Sequence, residues 1–418
     1  MTTSKTLEEY KKSLPMDLLP QNFLDAILVT RKLGLRYLWI DALCIVQYSL
    51  ADWEAEAARM GSVYSNAAVT ISALRSKDSK KGFLGRRNQC CVILSSDFAA
   101  HRPLPGFDAA VSKSPLSKRG WCLQERLLSP ALLNFGAGQM YWECRTATWQ
   151  EDGLPFEPLR YSFEYSFTDT RRVFGLTGPR SARDWYVLVE DFSGRALTYR
   201  KDRLPALAGI ASRFRAAGIG GRYVAGHWME GLEKSLFWMS YCDPVERPWY
   251  FKPVGRDPPI PTWSWASVGT TVNFKSDEEA GNSLLQILAA TALKVTLTIR
   301  GHVATMRYVK HTRKNGMNIA MPETEKPGLR FYNETSARAV LRDFPGEGRT
   351  LGSQRYSVLL DSRHQPRMLV MRQVRTISGK REEEKIPVFH RVGSAEYLGE
   401  HLEDEVLARF KKQTIILV

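Results

Sequence analysis

The chain reads Tyr37-Leu-Trp-Ile-Asp41 and, further on, Ala67-Ala-Val-Thr-Ile-Ser-Ala73, two short and largely apolar runs. Each has the length and continuous apolar character of a strand that is buried on both faces of a sheet. Amphipathic helices flank the first run: one ends at Gly34, and the other begins after Ser49 and runs to about Tyr64. Strands that alternate with helices are typical of a parallel sheet, so an α/β domain is predicted.

Three regions follow from the changes of pattern along the chain. Residues 1–150 contain the α/β pattern, and residues 151–270 are predicted to be mostly helical with a Pro- and Trp-rich end. Residues 271–418 contain several runs of β-branched and aromatic residues, so this last region is predicted to be rich in strands.

The composition is that of an ordinary globular protein. The chain has 418 residues, of which 44% are hydrophobic and 25% charged, enough apolar material for a large core. Its six cysteines form no CxxC pair and no disulfide framework, which indicates a reducing compartment. The N-terminus lacks the apolar segment of a signal peptide, and no apolar run is long enough to cross a membrane. We therefore expect a soluble, cytoplasmic protein with no membrane partner.

The net charge of +15 raises the alternative of nucleic-acid binding. The basic residues are spread over the whole chain and form no basic block or helical stripe, which argues against a polynucleotide as the main partner. Trp263 and Trp265 could stack on a base, but the prolines around them favour a packed loop.

Glu56 lies on an apolar stripe of the second predicted helix. Trp53, Ala57, Met60 and Tyr64 share the stripe, because they recur at spacings of three and four residues. A carboxylate in such surroundings must be ion-paired or hydrogen-bonded, and such groups cluster at functional sites.

Two interpretations of Glu56 stay open at this point. It could be a structural acid that pairs with Arg126 or Arg36, whereas Arg59 is predicted to point away from the stripe. It could instead carry chemistry, since Asp41 ends the preceding predicted strand and α/β sheets place ligands at the carboxyl ends of strands.

Several other kinds of site are excluded because the chain lacks their motifs. The chain has no GxSxG, HExxH or zinc-ligand spacing and no Walker P-loop, so no metal site is predicted.

Ordered motifs over about residues 15–150 closely resemble those of the fungal heterokaryon-incompatibility (HET) domain. The motifs are Leu19–Ile27, Leu33–Gln47, Asp52–Met60, Val63–Ala67, Arg119–Pro130 and Phe135–Cys144. Later segments at 204–211, 223–228 and 261–268 resemble the C-terminal extension of these proteins.

This resemblance implies a filamentous-fungal protein that triggers cell death when genetically unlike hyphae fuse. The family fold is held to resemble the Toll/interleukin-receptor (TIR) domain, a flavodoxin-like, doubly wound parallel sheet. Family members usually begin with a strand like Ser-Tyr-x-Trp-Gly, which Met1–Asp17 does not supply, so a sheet that lacks its first strand is expected. Tyr48 also stands where the family commonly has an acid.

The resemblance also implies a chemistry, because some TIR domains cleave NAD with one glutamate on a helix carrying Trp-x-x-x-Glu or a near variant. Trp53-Glu-Ala-Glu56 falls on the corresponding helix, which makes Glu56 the candidate catalytic residue. Asp41 would then hydrogen-bond the ribose, and Trp53 would pack beside the nicotinamide. NAD is expected only as a substrate, and no cofactor is expected to be required.

Arg126 has two interpretations within the second signature. It could pair with a buried acid and hold this segment against the sheet, or it or Arg119 could contact a ligand phosphate through the bidentate guanidinium.

Three functions are therefore weighed: a death-signalling HET protein that cleaves NAD, a non-enzymatic adaptor that self-associates or docks an unknown incompatibility partner, and a nucleic-acid-binding protein.

Overall fold

The computed structural model describes residues 1–85, 91–93, 95, 99–101, 104–153, 178–241, 260–274, 283–291, 296–307, 329–330, 355–360, 367–379, 385–397, 407–408 and 410–418. The chain divides into two compact units. The first consists of residues 1–180 and 195–217, and the second of residues 181–194 and 218–418.

Helices are concentrated in the first unit. In chain order the α-helices are α1 (Leu7–Lys12), α2 (Gln21–Lys32), α3 (Asp41–Cys44), α4 (Leu50–Ser65), α5 (Phe107–Ser112), α6 (Trp121–Leu128), α7 (Ala182–Ser193), α8 (Ala208–Ala216) and α9 (Leu232–Ser235). Short 3₁₀ turns cover Met16–Leu18, Pro115–Lys118, Arg200–Asp202, Pro205–Leu207 and Trp265–Ser267.

Strands occur in both units. Those before residue 242 are β1 (Thr70–Ser72), β2 (Cys91–Ile93), β3 (Ala99–His101), β4 (Ala131–Phe135), β5 (Met140–Cys144), β6 (Thr148–Gln150), β7 (Tyr223–Val224), β8 (His227–Trp228) and β9 (Met239–Tyr241). Those after it are β10 (Thr271–Asn273), β11 (Gln286–Thr291), β12 (Thr296–Arg307), β13 (Leu329–Arg330), β14 (Arg355–Leu360), β15 (Arg367–Ser378), β16 (Lys385–Tyr397) and β17 (Lys411–Leu417).

The helices α2 and α4 form where the sequence predicts them. α2 ends just before Gly34, whose φ of 70° is the left-handed conformation that stops a helix. Ser49 caps α4, because its hydroxyl accepts the backbone N–H of Asp52 at 3.3 Å. The Asp52 side chain accepts the Val46 N–H at 2.7 Å, which ties the start of α4 to the preceding loop.

The predicted strand over residues 37–41 is wrong. Residues 35–40 contain no strand, and Asp41 instead begins α3. Leu38 and Ile40 do pack against the buried cluster of Ala26, Val29, Phe83 and Phe135, as alternation along an extended segment requires, but Tyr37 is 86% exposed. The apolar pattern thus gives an extended segment with one buried face. A strand also needs a hydrogen-bonded neighbour, and the part of the chain that the structure describes pairs none with these residues.

The first unit contains a mixed sheet in the order β1-β4-β5-β6. β1 and β4 are parallel, with Ser72 opposite Asn134, whereas β4, β5 and β6 are joined antiparallel. The α/β class and a parallel strand pair are therefore confirmed, and the doubly wound, TIR-like arrangement stays a prediction.

The second unit is rich in strands, as predicted. A seven-stranded sheet has the order β11-β12-β14-β15-β16-β13, and β17 pairs with both β12 and β16. The pairings β12-β14-β15-β16-β17 therefore return to β12 and close a ring. Leu297, Leu359, Leu369 and Ile415 are fully buried among these strands and form part of one hydrophobic core.

Trp263 and Trp265 belong to a packed loop, so that prediction is confirmed. Both are fully buried, and the indole N–H of Trp265 donates to the Gly226 carbonyl at 2.8 Å. Gly226 lies in the β7–β8 turn with a φ of 91°. Since both rings are enclosed by protein, neither is available to stack on a base.

Candidate functional site

Glu56 lies on α4 with its side chain 18% exposed. Its carboxylate accepts a hydrogen bond from the guanidinium of Arg59 at 3.0 Å. The expectations that Arg59 points away and that Arg126 or Arg36 is the partner are therefore wrong. Residues three apart are neighbours on a helix, and the long arginine side chain crosses the gap. Since the Arg59 side chain is 73% exposed, this ion pair is weak and the guanidinium is free to swing into solvent.

Asp41 begins the short helix α3, and its exposed carboxylate accepts the Ala42 N–H at 2.7 Å. Cys44 is the last residue of the same helix. Burial raises the pKa of this thiol most, a backbone hydrogen bond at Ile40 lowers it, and the carboxylates of Glu56 and Asp41 raise it further. Two of the predicted site residues, Glu56 and Asp41, therefore act electrostatically on one thiol.

Trp53 is half-buried on α4, and its ring is in contact with a cation. The Lys201 ammonium lies 5.4 Å from the centre of the indole ring, within the range of a cation–π contact. The same ammonium lies 5.7 Å from the Tyr199 ring. The structure thus gives Trp53 a basic neighbour, and its packing beside a nicotinamide stays a prediction.

Arg126 lies on α6 and forms an ion pair with Glu143 of β5. Its Nη2 and Nε donate to the two carboxylate oxygens at 2.6 and 3.2 Å, and the two side chains are only 8% and 5% exposed. The guanidinium also lies 5.8 Å from the Phe107 ring. The structure thus supplies the buried acid that the structural interpretation required, whereas contact with a ligand phosphate stays a prediction.

A second cluster, formed by Glu125, Tyr64, Cys122 and Arg119, was missed by sequence reasoning as a unit. The Cys122 thiol and the Tyr64 hydroxyl donate hydrogen bonds to the Glu125 carboxylate. Burial raises the pKa of Glu125, the Arg119 charge lowers it, and Asp41 raises it. Burial also holds the pKa of Tyr64 well above its usual range, with Glu125 and Asp41 adding to the shift. The cluster joins residues from segments some sixty positions apart, so no local spacing could have predicted it.

Beside this cluster lies a cavity of about 50 Å³. It is lined by the ends of β1 and β4 and by α6, and its apolar wall includes Ile71 and Leu132. Asn134, Glu125, Arg126 and Arg195 are the larger polar residues of its lining. Ser72 and Asn134 stand in register near the carboxyl ends of two parallel strands, the position at which α/β sheets place ligands.

The described residues contain no group of three or more His, Cys, Asp or Glu side chains that could hold a metal ion. Within the same residues, no helix is both long and apolar enough to span a membrane.

One comparison with known proteins identifies a family. Residues 2–125 match the model of the heterokaryon incompatibility protein (HET) family, whereas no curated protein and no solved structure matches the chain. The matched segment contains Asp41, Trp53, Glu56 and the four residues of the Glu125 cluster, and it ends just before Arg126. The resemblance to the HET domain that the motifs indicated is therefore confirmed over residues 2–125.

Proposed function

We propose that this protein triggers programmed cell death in the cytoplasm when genetically unlike fungal hyphae fuse, and that its HET domain has a TIR-like architecture and cleaves NAD. The observation that carries the proposal is the position of Glu56. Its side chain is 18% exposed, its partner Arg59 is 73% exposed on the surface, and its charge acts together with that of Asp41 on the Cys44 thiol.

The reaction breaks the bond between the ribose C1′ and the nicotinamide nitrogen. Nicotinamide leaves with the bonding electrons, a water oxygen bonds to C1′, and that water releases a proton, so that ADP-ribose is the other product. Positive charge develops on the ribose as the bond breaks, and a nearby carboxylate stabilises it. Glu56 would supply this carboxylate after Arg59 turns into solvent. Asp41 would accept a hydrogen bond from a ribose hydroxyl, and Trp53 would pack beside the leaving nicotinamide.

Glu56→Gln tests the catalytic role, because it keeps the shape of the side chain and removes its charge. With purified full-length protein and NAD, we expect the release of nicotinamide to fall by about a hundredfold or more. Glu54→Gln, on an exposed position of the same helix, is the matched control and should keep the wild-type rate. Equal release from wild type and Glu56→Gln would refute the assignment.

A second candidate function is a non-enzymatic adaptor that self-associates, and exposed apolar side chains on the HET domain favour it. Leu33, in the turn after α2, and Leu35 and Tyr37, on the extended segment that has no strand partner in the described structure, are all exposed. Exposed apolar patches mark interaction surfaces. Regulated expression in hyphae distinguishes the two functions. Death that persists in Glu56→Gln but is lost in Tyr37→Ser, together with loss of oligomers in sedimentation, would establish the adaptor.

A further inference from the structure

Lys201 carries an ammonium group that no acid neutralises within the part of the chain that the structure describes. Among those residues the ammonium forms neither a hydrogen bond nor an ion pair. Its nitrogen lies instead 5.4 Å from the centre of the Trp53 ring and 5.7 Å from the centre of the Tyr199 ring. Cation–π contacts outside the protein interior are weak, so an anion that approaches this ammonium can draw it away from the rings.

The turn that carries Lys201 is anchored by its neighbours. Lys201 lies in the 3₁₀ turn Arg200–Asp202, and the next two residues, Asp202 and Arg203, are 5% and 3% exposed. The Asp202 carboxylate accepts a hydrogen bond from the indole N–H of Trp121 at 3.2 Å. The Lys201 side chain itself is only partly buried. Because it is long and flexible, its ammonium can turn from a ring to a ligand while the backbone stays in place.

The charges around Trp53 indicate where a cation is needed. Glu56 follows Trp53 by three residues on α4, so the two side chains are neighbours on the surface of the helix. An anionic ligand group that enters beside Trp53 is repelled by the Glu56 carboxylate. The guanidinium of Arg59 is already engaged by Glu56 at 3.0 Å, whereas the charge of Lys201 is available to balance the ligand.

The chemistry of NAD matches this arrangement at two points. Its nicotinamide ring is a pyridinium cation, so it can replace the ammonium on the face of the Trp53 indole and keep a cation–π contact there. One ribose away from the nicotinamide is the first of two phosphates, each with a negative charge. The ammonium that leaves the indole is then beside a phosphate, and lysine commonly binds phosphate as a point charge.

We propose that Lys201 is a substrate-binding residue that pairs with the phosphate next to the nicotinamide ribose of NAD. The proposal rests on the proposed NAD cleavage and names a further residue of that site. Lys201 lies outside residues 2–125, which match the family model, so the extension that follows the matched residues contributes to the site.

Nicotinamide release from three substrates tests this role in the full-length chain. NAD has two phosphates, nicotinamide mononucleotide has one, and nicotinamide riboside has none. Lys201→Met keeps an unbranched side chain against the rings and removes the charge, so we expect kcat/KM to fall about tenfold for NAD and for the mononucleotide. The value for the riboside should stay within about twofold of the wild type, because a substrate without phosphate has no contact to lose.

Two further variants serve as controls. Lys113→Met removes the same charge at an exposed position and should leave all three values of kcat/KM unchanged. Lys201→Arg keeps a cation and should retain most of the preference for the phosphorylated substrates. Comparing the three substrates within one variant also corrects for any loss of folded protein, because fewer active molecules lower all three values alike.

The outcomes separate this proposal from the proposed function. If the wild type releases nicotinamide, NAD cleavage stands. The role of Lys201 is then overturned by an equal fall for NAD and the riboside, by no fall for either phosphorylated substrate, or by a fall for NAD alone.

If the wild type releases no nicotinamide, NAD cleavage is refuted, and titration calorimetry with NAD decides the role of Lys201 in binding. Binding that is about tenfold weaker in Lys201→Met than in Lys113→Met would support the phosphate contact. Equal binding by the two variants, or no binding by the wild type, would overturn it.

Discussion

Replacing Arg126 by Met is expected to destabilise the first unit strongly. The guanidinium is held by both oxygens of Glu143 at 2.6 and 3.2 Å, and both side chains are more than nine-tenths buried. Methionine fills most of the same space but leaves the Glu143 carboxylate buried without its cation. Removing one member of a buried ion pair costs about 3–5 kcal/mol. In a unit of this size that lowers the melting temperature by about 6–20 °C.

Thermal unfolding followed by circular dichroism measures the effect on the transition of the first unit. The double variant Arg126→Met with Glu143→Met is the control, because it removes both charges together and should recover most of the lost stability. Arg126→Lys keeps the charge without the bidentate geometry and should fall between the wild type and Arg126→Met. The reasoning is refuted if Arg126→Met melts within about 2 °C of the wild type, a shift worth less than roughly 1 kcal/mol. Normal stability with lost death activity in hyphae would instead assign Arg126 to ligand contact.

Two further predictions concern burial elsewhere in the chain. Burial lowers the pKa of His227 to about 3. As the pH falls below about 6.5, the histidine therefore takes up a proton in the unfolded state but not in the folded state. The free energy of unfolding should consequently fall by about 2 kcal/mol between neutral pH and pH 5. Hydrogen exchange of the segment around His227 measures how the free energy of unfolding changes with pH. This change should be absent in His227→Gln, and its persistence in that variant would show that His227 is not the cause. Gly209→Ala should cost about 1–3 kcal/mol, because its Cβ would lie 2.9 Å from the Cα of Gly61 where α8 crosses α4. Gly106→Ala, whose Cβ would meet nothing within 4 Å, is the control for the same thermal melts, and an equal loss in both variants would exclude the helix crossing as the cause.

The candidate site was only partly accessible to sequence reasoning. The 3.6-residue period placed Glu56 on the covered face of α4, and the structure shows its side chain largely shielded. Periodicity describes the direction of a Cα–Cβ bond, however, and not where a long side chain ends. The guanidinium of Arg59 therefore reaches Glu56 although its position on the helix points away from the stripe.

Residues brought together from distant segments lay beyond that reasoning. Glu125 receives hydrogen bonds from Tyr64 on α4 and from Cys122 on its own helix, and only the packing of α4 against α6 creates this cluster. Asn134 looks like an ordinary polar residue in a short strand. Only its three-dimensional neighbours show that its side-chain amide is buried with no hydrogen-bond partner among the described residues.

The sequence by itself determined the local elements: the helices α2 and α4 with the residues that end or cap them, and the strand-rich character of the C-terminal region. These depend on the period of apolar residues and on nearby Ser and Gly residues, which are all visible in one short segment. The tertiary structure alone decided that residues 35–40 have no strand partner within the described structure, that Arg126 meets Glu143, and that Asn134 lines a cavity. Pairing, ion pairs and cavities each need atoms from segments distant in sequence, and the free energy that selects them exists only once those segments are packed together.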